Sequence, residues 1–247
     1  MYDLSILVEG FPGRSPTHGG LGWSTIGLLQ DDTHSIIVDG GSFGIRDILL
    51  SKLAEKGLSR QDITHVLLTH AHWDHSVNWT LFPNAEIIIG RIDLEWALNE
   101  PPGGWQVPEL YIKELSQSNQ LRTVQHLEEV LPGITVHHVA GHSPGHVAFI
   151  LEEADKRIIF AGDAAKNRTE LLSKQADMTL DARLSEQSIQ YLWNIWEQRQ
   201  GSLMVPGHDL PMILDAGIPK YVTERHAILT AWFGETLDEE TKFNLHK

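Results

Sequence analysis

The chain has 247 residues, of which 41% are apolar and 21% charged; this excludes a disordered polymer and suffices for one α/β domain with a substantial core. Its 19 Lys and Arg against 33 Asp and Glu leave a formal charge of −14, which argues against a protein that grips nucleic acid by neutralising phosphates. There is no cysteine, so disulfides, thiolate metal sites and a cysteine nucleophile are excluded. No apolar run of about 18 residues exists to span a membrane. The first residues, Met1-Tyr2-Asp3-Leu4-Ser5, show no basic region leading into an apolar stretch, so a cytoplasmic protein is expected.

In chain order, Ser5–Val8 is a short apolar run, and the Gly- and Pro-rich stretch from Gly10 to Gly22 reads as a loop. Ser24–Leu29 and Ser35–Val38 flank Asp31-Asp32-Thr33-His34 and predict a β-hairpin. Asp47–Lys56 has helical spacing and stops at Gly57. His65–Leu68 is a buried strand that runs into Thr69-His70-Ala71-His72-Trp73-Asp74-His75, and Glu86–Ile89 is another strand. The segment 91–123, with Trp96, Trp105 and Tyr111 around Pro101-Pro102-Gly103-Gly104, has no strong period and predicts a short helix plus an insertion, a lid or a dimer surface. Ile134–Val139 is a strand that leads into Gly141-His142-Ser143-Pro144-Gly145-His146. Val147–Leu151 and Arg157–Phe160 form a second hairpin that ends at Gly162-Asp163. Ser185–Arg199 is a helix with Ser185 as N-cap, Leu203–Val205 a strand ending at Pro206-Gly207-His208, and 219–233 a C-terminal helix. Strands, helix and strand thus occur twice, which predicts a single domain over 1–247 built as an αββα four-layer sandwich.

His70-Ala71-His72-Trp73-Asp74-His75 packs four ligand-type side chains into six residues directly after a strand. Neutral imidazoles and carboxylates suit zinc and related divalent ions. Residues two apart on an extended segment point the same way, so His70 and His72 can grip one ion while Asp74 and His75 serve a second from the following turn. The set is closed from elsewhere: His142, Asp163 and His208 each follow an apolar strand and adjoin a glycine, where the backbone can turn tightly.

These motifs, together with Asp39-Gly40-Gly41, resemble those of the metallo-β-lactamase superfamily over nearly the whole chain. The resemblance implies the αββα fold and two metal ions, zinc first, with manganese, cobalt and iron(II) also compatible. It implies that His70, His72 and His142 hold one ion, that Asp74, His75 and His208 hold the other, and that Asp163 bridges them. The cysteine-using zinc β-lactamases resemble the chain less. The set looks like that of the lactonase, glyoxalase and nuclease branches.

Two such ions can hold a hydroxide between them that attacks a carbonyl, with Asp74 moving a proton to the leaving group. The expected reaction is hydrolysis of a small lactone or ester. A glutathione-thioester hydrolase of the glyoxalase type is the alternative, with only Lys220 and Arg225 as basic residues early in the tail; a nuclease and a mononuclear iron persulfide dioxygenase rank lower. Lys166 stands three residues after Asp163, where acyl-homoserine lactonases carry a tyrosine, and is expected at the rim, where it could hold a substrate carboxylate. By the same resemblance, Phe11, Trp23, Trp96, Trp105 and Tyr111 are expected to wall an apolar substrate pocket, with His18 as a further contact. Trp73 is read as a support for the ligand backbone, and His146 as orienting His142 or an adjacent loop. The expected partner is a small molecule, and a homodimer is compatible with the aromatic insertion.

Overall fold

The computed structural model describes residues 1–17 and 19–245. Its elements are β1 (Asp3–Val8), β2 (Arg14–Ser15), β3 (Gly19–Gly20), β4 (Ile26–Gln30), β5 (Ser35–Val38), α1 (Arg46–Glu55), β6 (His65–Leu68), α2 (Trp73–Ser76), β7 (Glu86–Gly90), α3 (Arg91–Asn99), α4 (Glu109–Gln117) and β8 (Leu121–Val124). The second half continues with β9 (Glu129–Leu131), β10 (Ile134–His138), β11 (Val147–Glu152), β12 (Arg157–Gly162), α5 (Arg168–Ser173), α6 (Ala182–Glu197), β13 (Leu203–Pro206), β14 (Met212–Asp215), β15 (Ile218–Tyr221), β16 (Ile228–Trp232) and β17 (Glu240–Asn244).

Period-two side-chain alternation sorts the apolar residues into three separate cores, which are the spaces between four layers. One sheet runs β1-β4-β5-β6-β7-β8 and the other β15-β14-β13-β12-β11-β10-β9. Ile36, Val38, Leu67 and Ile88 of the first meet Phe149, Leu151, Ile158 and Phe160 of the second in the central core. Their neighbours Ile37, Val66, Leu68 and Ile87 turn outward onto Leu49 and Leu53 of α1, Leu94 of α3 and Leu115 of α4. On the far side Ala148, Ile150, Ile159 and Met204 turn onto Leu171 of α5 and Ile189, Leu192 and Trp196 of α6. A slip of one residue in β6 or β12 would exchange two cores, so these apolar runs specify register on both faces. The αββα architecture is the expected one. No helix among the described residues is long and apolar enough to cross a membrane.

Three expectations need correction. The segment 91–123 is not an insertion beside a short helix: α3, α4 and β8 complete the first half, with Leu94, Ala97, Ile112 and Leu115 buried in its outer core. Only the stretch between α3 and α4 stays irregular. The late helix begins at Ala182, not Ser185; Asp181 is its N-cap and accepts from Leu184 N at 2.9 Å, while Ser185 is buried inside the first turns. The expected C-terminal helix over 219–233 is instead two strands, β15 and β16, joined by an irregular stretch. Pro219 sits in β15, paired with Leu214 of β14, and Ile228–Trp232 is one arm of a hairpin. Ladder pairing and the β-branched residues Ile218, Ile228 and Thr230 outweigh the helix-compatible spacing there.

Candidate metal centre

The ligand-type residues sit at one rim of the sandwich because the strands that precede them end there. β6 lies between its parallel neighbours β5 and β7, and β12 runs parallel to β13. Their carboxyl ends deliver His70, Asp163 and His208, and the turn after β10 delivers His142. Gly141 adopts φ +136°, with Ser185 where a Cβ would stand, so the turn that carries His142 requires glycine.

All seven predicted side chains converge. His70, His72 and His142 bring one ligand atom each to within 4.8 Å of one another, as do Asp74, His75 and His208. Asp163 stands between the two groups: Oδ2 is 3.3 Å from His142 Nε2, and Oδ1 is 3.2 Å from both His75 Nε2 and His208 Nε2. Asp74 Oδ2 is 3.4 Å from His208 Nε2 and 3.7 Å from His75 Nε2.

The protonation chemistry suits cations. Burial, reinforced by the neighbouring imidazoles, holds His70 far below the usual histidine range. Burial likewise lowers His142 well below that range and His72 to about 4, so these rings are neutral at pH 7 and can each offer a lone pair to a cation. His70 Nε2 is buried without a hydrogen-bond partner, a cost normally repaid by a ligand. His142 Nε2 and His72 Nδ1 face each other at 2.9 Å, a close approach that a cation coordinated by both would relieve. At His75 and His208, burial opposes charging, but nearby carboxylates, Asp163 first, raise both. Asp163 is held far below the carboxylate range despite its burial, by His208, His75 and His142. Positive charge is thus wanted at this cluster, and divalent ions fit it.

Buried carboxylates behind the seven residues orient them. Asp39 accepts from Thr69 N at 2.9 Å and lies 2.8 Å from His75 Nδ1, which directs His75 Nε2 at Asp163. His146 is fully buried, stacks on His70 at 4.7 Å, and accepts from Asp163 N through Nε2 at 3.0 Å. It therefore holds the Asp163 backbone and does not orient His142. Asp93 was not anticipated. From the first turn of α3 it accepts from Ala71 N at 2.7 Å, from Ser143 Oγ and from Gly145 N, so it joins the His70–His75 segment to the His142 turn. Only the acid's place in the first turn of a helix after a buried strand hinted at it. A second unanticipated carboxylate, Asp209, is buried beside His208 and takes Arg168 N, Tyr221 Oη and the Arg225 guanidinium.

A cavity of about 540 Å³ opens over the cluster, lined at its floor by His72, Asp74, His142, Asp163 and His208. Phe11, Trp73, Trp105 and Met178 supply the apolar wall, and Lys166 lines the polar side. Trp73 faces the cavity as well as carrying the ligand backbone. Trp23, Trp96 and Tyr111 are not among the described lining residues: Trp23 props Phe11 from behind, with ring centroids 4.9 Å apart and Nε1 donating to Glu9 O, Trp96 packs on the His72 ring, and Tyr111 packs on Phe43. His18 lies outside the described residues. Lys166 is less open than a rim lysine: its Nζ lies 3.0 Å from Glu170 Oε1, and Glu170 also accepts from Lys166 N and Asp177 N. Of the two basic residues early in the tail, Lys220 pairs with Asp215 and Arg225 with Asp209.

The family model of the metallo-beta-lactamase superfamily matches residues 19–208. An N-acyl homoserine lactonase from Bacillus cereus is 26% identical over 166 residues, 66% of this chain and 63% of that protein. The matched stretch therefore spans less than two thirds of that curated relative. Human metallo-beta-lactamase domain-containing protein 1 is 27% identical over 194 residues, 78% of this chain and 64% of that one. Among solved structures, a Thermotoga maritima protein described as a metallo-beta-lactamase superposes with a TM-score of 0.70 at 26% identity, covering 86% of this chain and 99% of that chain.

Proposed function

The chain belongs to the metallo-beta-lactamase superfamily, and on that premise we propose that it is a dinuclear metal-dependent hydrolase of a small, partly apolar lactone or ester. The observation that carries this reading is Asp163, with one carboxylate oxygen turned to each of two histidine groups on the floor of an open cavity. His70, His72 and His142 would hold one ion, Asp74, His75 and His208 the other, and Asp163 both. Zinc suits the donor set best, with manganese, cobalt and iron(II) also accepted. Such a pair supplies Lewis acidity for the carbonyl and lowers the pKa of water from about 15.7 to about 7.

The chain's own residues do the rest. Phe11, Trp73, Trp105 and Met178 would bury the apolar part of the substrate and exclude water around the scissile bond. Asp74 lines the cavity and is partly open to it, placed to take a proton and return it to the leaving alkoxide. Lys166 is already charge-balanced by Glu170, so it offers spare N–H donors to a neutral carbonyl or ring oxygen more than it offers a vacant charge to a carboxylate. The relatives named as homoserine lactonases support a lactone as the first substrate class to try. The pairing of Lys220 and Arg225 with their own aspartates gives the glutathione-thioester alternative no free basic tail among the residues it would use.

The test is a panel of N-acyl lactones, p-nitrophenyl esters, glutathione thioesters and single-stranded RNA offered to zinc-loaded protein, with metal content measured alongside. Turnover of lactones or esters with two ions per chain is expected. No turnover of either class by the fully loaded protein would refute the reading.

A further inference from the structure

Nine of the 23 large apolar side chains exposed among the described residues lie between Ile218 and Phe243. That stretch is about a tenth of the chain, so the concentration is local. It centres on β16 and β17, which form a two-stranded sheet of their own; among the described residues no other element packs broadly against it. An isolated two-stranded hairpin is marginal in water. Leu229 pairs with Phe243 and Ala231 with Thr241, so these four share one face, and the Phe233 ring meets that of Phe243 at 6.5 Å. Phe233 and Leu237 are 76% and 84% exposed.

The two outer edges of the hairpin differ. β17 carries Glu240 and Lys242, 3.3 Å apart, the charges that keep an edge strand from pairing. β16 reads Ile-Leu-Thr-Ala-Trp, with no charge and no proline. We propose that β16 is an assembly edge, pairing antiparallel with β16 of a second copy about a two-fold axis at Thr230. The result is a four-stranded sheet, β17-β16-β16-β17, whose apolar faces become continuous.

A second copy fits better than an unrelated strand because an antiparallel edge is its own complement. In this register Ile228 opposes Trp232, Leu229 opposes Ala231 and Thr230 opposes itself, so no charge meets a like charge even though each chain carries −14. Pairing through β17 about Lys242 would oppose two lysines. Ile228 and Trp232, 49% and 54% exposed, lie on the face of β16 opposite to Leu229; in this register each stands across from the other in the second copy, so the pairing brings exposed apolar side chains together on both faces of the sheet.

The chain's lack of cysteine makes the test direct. Directly opposed residues have Cα atoms about 4.5–5.5 Å apart, inside the disulfide window of about 4.4–6.8 Å. Under mild oxidation of the full chain, Thr230→Cys should give a covalent dimer at least about tenfold faster than Thr236→Cys at the hairpin tip, where no close opposition is expected. The unmodified protein should sediment as a dimer. Thr230→Lys should weaken that dimer at least about 30-fold by setting two lysines face to face, with circular dichroism and metal content unchanged. A monomer at about 50 μM, an unweakened Thr230→Lys dimer, or equal cross-linking of the two cysteine variants would each overturn the proposal. A monomer that binds phosphatidylcholine vesicles through this face would overturn it too, giving the face to a lipid surface. None of these readouts depends on hydrolytic activity, so the assembly edge can fail while the proposed function stands.

Discussion

Replacing Asp93 by alanine tests whether the two ligand-bearing segments are held together from behind. The carboxylate takes three buried donors: Ala71 N, Ser143 Oγ and Gly145 N. Each donor left without a partner costs about 1–3 kcal/mol, so the three together come to about 3–9 kcal/mol. Burial opposes part of this, because it raises Asp93 from 3.8 to about 6. A group whose folded pKa is raised contributes its stability below the unfolded value and loses it as pH climbs through the folded one. Asp93 should therefore stabilise the fold more at low pH, and the gap between wild type and Asp93→Ala should shrink by about 2 kcal/mol between pH 4.5 and pH 7. Urea unfolding of both proteins, treated with chelator so that metal-linked protons cancel, measures this gap. Metal content after dialysis reads the same residue independently, and the variant should keep less than the wild type. A gap that stays flat or widens with rising pH, or a variant within about 1 kcal/mol of wild type at pH 4.5, would refute the reasoning.

His72→Ala should lower metal content and reduce hydrolysis at least about 100-fold, because a ligand matters no less than the outer-shell partners whose loss costs about 10–100-fold; intact metal content would remove His72 from the ligand set. Chelation should abolish activity and lower the melting temperature, and zinc should restore both; restored activity without restored stability would contradict binding to the folded state. Lys166→Met should raise KM or lower kcat for neutral lactones at least about tenfold, and as much as for anionic esters. A loss confined to anionic substrates would show instead that Lys166 acts as a carboxylate anchor. Glu170→Gln, which leaves Lys166 without its counter-charge, should shift preference toward anionic esters in a competition assay; an unchanged ratio would remove the charge-balancing role.

The sequence by itself determined the layers and which histidines and aspartates meet at one rim. Uninterrupted apolar strands such as Val66–Leu68 and Ile158–Ala161 can be buried on both faces only between two further layers, and strand-end glycines beside His142, Asp163 and His208 mark where a rim must form. These are local patterns, and a linear reading holds them. What it could not hold is who stands behind whom. Asp93 orders the His142 turn from 50 residues away, and Arg225 reaches back to Asp209 and to Gly10 O; no spacing in the chain announces either. The same blindness explains 219–233, where strand partners in β14 and β17, not intrinsic spacing, chose the conformation. Trp23 became a prop and Trp73 a wall because pocket lining depends on which side of a loop faces in, and only the packing of Phe11 against Trp23 and the course of the segment after β6 decide that.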